Sequence, residues 1–200
     1  MKKDILIDFD GTINNTLKRH YILHNLLCKK YKLEKISYVK FIYNKKKKIK
    51  NINLFKSNKI KKKLYIKSWI ETIEKKKFLK IDNLFKGVKE KLKFLSLENN
   101  LYLNTFRNNK ANFYEQLNRY KLKKFFKKIY FISNKKFKNK KLFFKNINFK
   151  DLIIIGDNNQ DFQIKKKAIK IGVLSGFTSK TLLKKKTNYV FKKFIDIKVV

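Results

Sequence analysis

The stretch Asp8-Phe9-Asp10-Gly11-Thr12 directly follows the apolar residues Ile5-Leu6-Ile7, and this arrangement decides the fold that the sequence predicts. The apolar run is typical of a buried β-strand, and Gly11 permits a sharp turn after it. Alternate residues of a strand share one face, so Asp8 and Asp10 are expected to point together from its carboxyl end. Two carboxylates this close repel each other unless one is protonated or a cation lies between them.

A second apolar strand ends in acidic residues near the other end of the chain. The run Leu152-Ile153-Ile154-Ile155 leads into Gly156-Asp157, and Asp161 follows four residues after Asp157. Carboxylate oxygens are the ligands that hard cations prefer. Acids at the ends of two strands therefore predict a hard-cation site.

Strands and helices alternate over the second half of the chain. Strands are predicted at 101–105, 129–132, 152–156, 169–173 and near 189–190, and helices from Gly87, at 113–120, at 140–147 and from Asp161. Such alternation indicates a parallel sheet with both faces covered. These sheets bind ligands at the carboxyl ends of their strands, where Asp8, Thr105 and Asp157 are expected to lie.

The region between these two parts has a helical pattern. Apolar residues recur at helical spacing over 17–31, around Phe41 and over 65–73. A polybasic segment, Lys45 to Lys63, separates the second and third of these helices. Its charge is interpreted either as a means of attracting anionic substrates or as a solvated surface.

Length and composition limit the possible architectures. The 200 residues form one domain, or one core domain with an insertion, and the 43% hydrophobic content is ample for a packed core. No apolar run of about 18 residues occurs, so no membrane span is expected. Cys28 is the only cysteine and the first residues do not resemble a secretory signal. We therefore expect a cytoplasmic protein without disulfides. Nothing in the sequence predicts its oligomeric state.

The formal net charge of +40 has two interpretations. It is typical of proteins that bind nucleic acid, but the abundant Lys, Asn, Ile, Phe and Tyr are also residues whose codons are rich in A and T. Only three arginines occur, Arg19, Arg107 and Arg119, although arginine binds phosphate bidentately and lysine does not. An AT-rich genome is therefore the favoured cause, and nucleic acid is a possible partner through non-specific charge only.

In order along the chain come Asp-Phe-Asp-Gly-Thr after a strand, a strand ending in Thr105, a helix-borne lysine, and Gly-Asp-x-x-x-Asp at 156–161. This order resembles the haloacid dehalogenase superfamily, in particular its phosphoglycolate-phosphatase-like branch. The resemblance implies an α/β fold with a Rossmann-like parallel sheet of about five strands flanked by helices. It also implies a core domain of residues 1–15 and 82–200 and an inserted α-helical cap domain of residues 16–81.

The resemblance also implies a function: Mg²⁺-dependent hydrolysis of a small phosphorylated metabolite by a phosphoric monoester hydrolase. Asp8 would be the nucleophile that forms an aspartyl-phosphate, and Asp10 the acid and base for the leaving alcohol and the attacking water. Mg²⁺ would be held by Asp8, the backbone carbonyl of Asp10 and Asp157, with Asp161 as a direct or supporting ligand. The alternatives are a phosphosugar mutase with the same site and a nucleic-acid-binding protein on this fold.

Two further residues complete the predicted site. Thr105 resembles the hydroxyl residue that binds the transferring phosphate, although a helix N-cap is an alternative role. Lys140 precedes Phe143, Phe144 and Ile147 at helical spacing and would stabilise the charge shared by Asp8 and the phosphate. The alternatives for this position are Lys141 and Lys138.

Other features carry less information. His20, His24 and Cys28 are spaced to share one helix face, which is compatible with a soft metal site, but no further ligand has a fitting spacing. A structural role is therefore favoured for them. Asn15 stands where family members often carry Asp, and Asn158 where they carry a small hydroxyl residue. These departures bear on the identity of the substrate and on the rate.

Overall fold

A computed structural model describes residues 2–47, 59–165 and 167–198. The strands in these residues are β1 Asp4–Asp8, β2 Asn14–Asn15, β3 Asn83–Leu84, β4 Asn100–Arg107, β5 Lys128–Ser133, β6 Ile153–Gly156, β7 Ile169–Val173 and β8 Tyr189–Phe191. The α-helices are α1 Leu17–Lys30, α2 Tyr38–Lys46, α3 Lys59–Thr72, α4 Lys76–Leu79, α5 Val88–Glu98, α6 Lys110–Tyr120, α7 Lys140–Phe143 and α8 Lys180–Lys184.

Six of these strands form one sheet in the order β5-β4-β1-β6-β7-β8. Every neighbouring pair is parallel, and β1 lies in the interior between β4 and β6. The predicted parallel α/β fold is thereby confirmed, with six strands in place of about five because β8 extends the edge beside β7. The carboxyl ends of β4, β1 and β6 lie side by side, so residues following them are brought together.

Each face of the sheet is covered by its own apolar layer. In β1, Ile5 and Ile7 point into a cluster formed with residues of α5 and α6, whereas Leu6 points into a second cluster on the opposite face. This alternation follows from the two-residue period of a strand. Helices on both faces explain why β1 and β6 carry uninterrupted apolar runs.

The helices between residues 17 and 79 have a small core of their own. Leu23, Leu27, Tyr65 and Phe78 are its buried members. The chain leaves the sheet through β2 and returns through β3, and these two short strands pair antiparallel. The predicted boundaries of the cap, at residues 16 and 81, lie beside this pair and stay a prediction.

Some elements differ from the sequence-based expectation. Helix α7 ends at Phe143, not at residue 147, and the predicted helix at Asp161 is a short 3-10 helix, Asp161–Gln163. A single helical turn followed by a tight turn still buries Phe144, so the apolar spacing could not distinguish the two conformations. Most of the polybasic segment, at 48–58, lies outside the described residues. None of the described helices is both long and apolar enough to cross a membrane.

Candidate active site

The candidate site lies where three neighbouring strands end. Asp8 is the last residue of β1, Asp157 directly follows β6, and Thr105 lies near the end of β4. Lys140 enters from the first turn of α7, whose N-terminus is capped by the side chain of Asn139. The parallel register of the sheet therefore assembles residues that are far apart in the sequence.

Three carboxylates form what we call the acid cluster: Asp8, Asp157 and Asp161. One oxygen of each lies within 4.8 Å of the others, and all three side chains are buried. Burial raises the pKa of Asp8 well above its usual range, and the charges of Asp161 and Asp157 add to this effect. Burial, followed by the charge of Asp161, raises the pKa of Asp157 to about 7. The cluster therefore holds more negative charge than its surroundings stabilise.

The ammonium group of Lys140 is the cation closest to these acids among the described residues. Its Nζ donates to Asp8 Oδ1 at 2.5 Å and to Asp161 Oδ1 at 2.6 Å. Although burial disfavours the charged form, Asp161 and Asp8 raise the pKa of Lys140 above its usual range. The exposed Lys138 and Lys141 do not reach the cluster. One ammonium against three carboxylates leaves a negative excess that suits a divalent cation.

Glycines and one backbone amide shape the space around the acids. A Cβ at Gly11 would lie 2.7 Å from Asp157 Oδ2, and one at Gly156 or Gly176 would overlap the Asp161 or Asp157 carboxylate. The N–H of Phe177 donates to Asp157 Oδ2 at 3.1 Å. The carboxylates are thus held in a fixed position by their surroundings. An all-oxygen donor set with net negative charge fits Mg²⁺.

The carboxylate of Asp10 points to a different set of partners. Arg107 donates to both of its oxygens, through Nε to Oδ2 at 2.6 Å and through Nη2 to Oδ1. Arg19 Nη2 lies 3.5 Å from Asp10 Oδ1, and Asn14 Nδ2 donates to the same oxygen at 3.0 Å. Burial opposes ionisation, but Arg107 and Arg19 outweigh it and lower the pKa of Asp10 below its usual range.

These contacts belong to what we call the arginine network: Asp10, Asn14, Arg19, Asp82, Arg107 and Gln116. Gln116 accepts from Arg107 Nη1 at 2.9 Å and donates to Asp82 Oδ2 at 3.0 Å. Arg19 Nε lies 3.2 Å from Asp82 Oδ1. Two guanidinium groups thus face two carboxylates. The network joins Asp10 to helix α1 and to the segment that enters β3.

Thr105 lies inside a strand, and its role as a helix N-cap is not supported. Asn109 caps the next helix, α6, by accepting from the N–H of Asn112. Thr105 is 1% exposed, and its Oγ1 has no hydrogen-bond partner among the described residues. The residue lines a cavity of about 230 Å³ together with Asp8, Lys140 and Asp157.

Comparison with known proteins identifies the family. The model for haloacid dehalogenase-like hydrolases matches residues 5–176, which is most of the chain. The chain belongs to this family. The resemblance inferred from the motifs and the prediction of a hydrolase are therefore confirmed. No curated protein sequence matches the chain significantly.

Solved structures share the haloacid dehalogenase fold at low sequence identity. A haloacid dehalogenase-like family hydrolase from Streptococcus pneumoniae is 18% identical with a TM-score of 0.77, over 98% of this chain and 96% of its own. A protein described as a predicted phosphoglycolate phosphatase from Haemophilus somnus is 16% identical with a TM-score of 0.71, over 98% and 96%. A protein provisionally described as a β-phosphoglucomutase from Thermotoga maritima is 18% identical with a TM-score of 0.65, over 97% and 95%. These similarities show the fold.

The His20, His24 and Cys28 side chains do not form a metal site in this family member. His24 Nδ1 lies 2.8 Å from the Tyr65 hydroxyl, and His20 packs against the ring of Trp69. Burial raises the pKa of Cys28 to about 11, so its thiolate form is disfavoured. The acid cluster is the group of possible metal ligands found within the described residues. The structure therefore favours a role in packing.

The arginine network is the part of the site that sequence reasoning missed. No sequence motif marks the members Arg19, Asp82, Arg107 and Gln116. A signal was nevertheless present in the composition. The chain uses arginine at three positions among 54 basic residues, and two of them bind Asp10. In a lysine-rich chain, a retained arginine indicates a position that needs the guanidinium fork.

Proposed function

We propose that this protein is a Mg²⁺-dependent phosphatase that hydrolyses a small phosphorylated metabolite through an aspartyl-phosphate on Asp8. The observation that carries the proposal is the position of Asp8. Its carboxylate lies at the wall of the 230 Å³ cavity, against Lys140 and among two further acids. A carboxylate so placed can attack a phosphorus atom if the charge around it is balanced.

The described side chains suit the separate tasks of phosphoryl transfer. An oxygen of Asp8 forms the new bond to phosphorus, and the Nζ of Lys140 stabilises the charge that nucleophile and phosphate share. The unpartnered hydroxyl of Thr105 is free to donate to a phosphate oxygen. Asp8 and Asp157, with Asp161 beside them, would hold Mg²⁺. When bound, the ion supplies neutralisation of the phosphate oxygens.

Asp10 is proposed to protonate the leaving alcohol and later to accept a proton from water. Both of its oxygens are occupied by Arg107 in the present arrangement. The carboxylate lines the cavity of about 230 Å³ beside Asp8, which we call the phosphate cavity, and also a neighbouring cavity. A change of the Asp10 side-chain rotamer can therefore direct one of its oxygens to the leaving group. The same guanidinium contacts lower the pKa of Asp10 and keep it ionised, so their release is needed before Asp10 can carry the proton that it donates.

The test is phosphate release from an aryl phosphate, with and without Mg²⁺, by the wild type and by Asp8→Asn. Asp151→Asn is the matched control, because Asp151 is exposed and its φ of 45° is a conformation that Asn tolerates. We expect Asp8→Asn to lose at least about 10³-fold in activity, and Asp151→Asn to retain it.

Activity that survives in Asp8→Asn would exclude the covalent mechanism. Absence of phosphate release from every phosphomonoester, together with salt-sensitive binding of DNA or RNA, would favour the nucleic-acid alternative. A second readout is independent of turnover: Mg²⁺ should raise the melting temperature of the wild type and raise that of Asp157→Asn less.

A further inference from the structure

A second cavity of about 340 Å³ adjoins the phosphate cavity. Asp10 and Phe106 line both of them. A phosphomonoester whose phosphorus is at Asp8 can therefore extend its leaving group into the larger cavity. The side chains of this cavity determine which leaving group fits.

Much of the wall is apolar and comes from the end of α3 and the residue that follows it. Trp69, Ile70 and Ile73 line it from this side, and Phe106 lines it from β4. Trp69 and Ile73 also pack against the small helical core, whereas Ile70 is 53% exposed and leaves apolar surface open to water. A flat apolar ring placed here would remove that surface from water.

The charged groups of the wall do not offer a cation to a second anion. Arg107 is engaged by Asp10 and Gln116. Arg19 is engaged by Asp10, by Asp82 and by a backbone carbonyl. No lysine is among the described residues that line the cavity, whereas the carboxylates of Asp10 and Glu74 are. The two guanidinium groups and two carboxylates of the wall balance each other, so a carboxylate or second phosphate on the leaving group would find no unpaired cation among these residues.

Polar atoms in the wall lack partners. Asn108 Oδ1 and His20 Nδ1 are buried and have no hydrogen-bond partner among the described residues, and both residues line the cavity. Buried polar atoms are costly when unpaired. A ring that carries N–H and acceptor groups can supply the missing partners, which a plain hydrocarbon ring cannot.

We propose that the substrate is a nucleoside monophosphate, whose leaving group is uncharged and carries a flat, hydrogen-bonding ring. This inference rests on the proposed phosphatase function. The size agrees, because a cavity of about 150 Å³ accommodates benzene, and the volume here is more than twice that, enough for a pyrimidine and its ribose. Small carboxylated phosphates such as phosphoglycolate are disfavoured because both guanidinium groups of the wall are already paired with carboxylates.

The first test compares kcat/KM for UMP, ribose 5-phosphate and 2-phosphoglycolate. Ribose 5-phosphate differs from UMP mainly by lacking the base, so the ratio of the two isolates the contribution of the ring. We expect UMP to exceed each of the others by about tenfold or more. Equal or higher kcat/KM for phosphoglycolate or ribose 5-phosphate would overturn the inference, while Asp8-dependent release of phosphate would leave the phosphatase proposal standing.

Variants in α3 and at Glu74 test whether this cavity determines the preference for UMP. Ile70→Asn should lower the ratio of UMP to ribose 5-phosphate about tenfold. Ile66→Asn, one turn earlier on the same helix and outside the cavity lining, is the matched control and should preserve it. Glu74→Gln should raise kcat/KM for phosphoglycolate more than for UMP. If Ile70→Asn leaves the ratio of UMP to ribose 5-phosphate unchanged, the assignment of this cavity to the leaving group is contradicted.

Binding can be measured without turnover, because Trp69 is the only tryptophan of the chain. Its fluorescence reports on occupation of this cavity in Asp8→Asn. We expect UMP to give a saturable change at a concentration at least about tenfold lower than ribose 5-phosphate. If UMP produces no saturable change, the inference fails whether or not the protein releases phosphate from an aryl phosphate.

Discussion

The acid cluster contains Asp8 and the arginine network contains Asp10, two residues later, yet the two groups differ in their balance of charge. In the acid cluster, three carboxylates share one ammonium, and burial raises the pKa of Asp8 and Asp157. In the arginine network, two carboxylates face two guanidinium groups, and the pKa of Asp10 is lowered. The first arrangement calls for an added cation. The second is already balanced.

The two groups are also positioned by different parts of the structure. The unbalanced acids are held by strand ends and by glycines and a backbone amide that lie at the ends of strands or in the loops that follow them. The balanced group links Asp10 to α1 and to the entry of β3, where the helical region leaves and rejoins the sheet. The position of the Asp8 carboxylate therefore depends on the sheet, whereas the position of the Asp10 carboxylate depends on how the helices pack against the sheet.

Replacing the one ammonium of the acid cluster should have the largest effect. Lys140→Met leaves three buried carboxylates without their internal cation, and we expect activity to fall by at least about 10³-fold. Stability without Mg²⁺ should fall by about 3–5 kcal/mol, as when a buried pair loses one partner. Kinetics and chemical denaturation measure the two effects. The exposed Lys141→Met is the control, and an equal loss in both variants would refute the role given to Lys140.

The two regions should also respond to pH with opposite sign. The pKa of Asp157 is raised from 3.8 to about 7, so the folded state binds its proton more tightly than the unfolded state does. This contribution to stability is present at low pH and is lost as the pH rises toward 7. The lowered pKa of Asp10 acts in reverse, because its contribution is present near neutrality and is lost as the pH falls.

Denaturation between pH 5 and 8 without divalent cations tests this sign. Relative to Asp157→Asn, the wild type should lose about 2–4 kcal/mol across this interval. Mg²⁺ should reduce that loss, because the ion binds the ionised acids. A wild-type profile parallel to that of Asp157→Asn would show that the cluster is not under electrostatic strain.

A third test separates charge from geometry in the arginine network. Arg107→Lys keeps the positive charge but cannot bind both oxygens of Asp10 and Gln116 at once. We expect a loss of about 2 kcal/mol in unfolding free energy, with Arg107→Gln losing more. Lys110→Gln, an exposed neighbour on α6, should be nearly neutral. If Arg107→Lys has the same free energy of unfolding as the wild type, the forked geometry of the guanidinium group is not needed.

The same contrast explains what the sequence could predict. Asp8, Asp157 and Thr105 follow or end apolar runs, and a parallel sheet has few ways to place such residues other than at one edge. No comparable rule predicts from the sequence which residues of a helix contact which residues of the sheet. Arg19 and Asp82 lie 63 positions apart and meet only because of how α1 is seated, which depends on the packing of Leu23 and Leu27. The larger cavity arises from the same packing.

The smallest expected effect comes from Thr12, a weak donor within the unbalanced region. Its Oγ1 donates to Asp8 Oδ2 at 3.3 Å, which is long for an O–H···O bond. Thr12→Val keeps the shape and removes the hydroxyl, so we expect a loss of no more than about 1 kcal/mol in stability and about tenfold in kcat/KM. Lys140 already bears most of the compensating charge. A loss as large as that of Lys140→Met would mean that directional hydrogen bonds, not net charge, govern the cluster, and the contrast with the arginine network would then disappear.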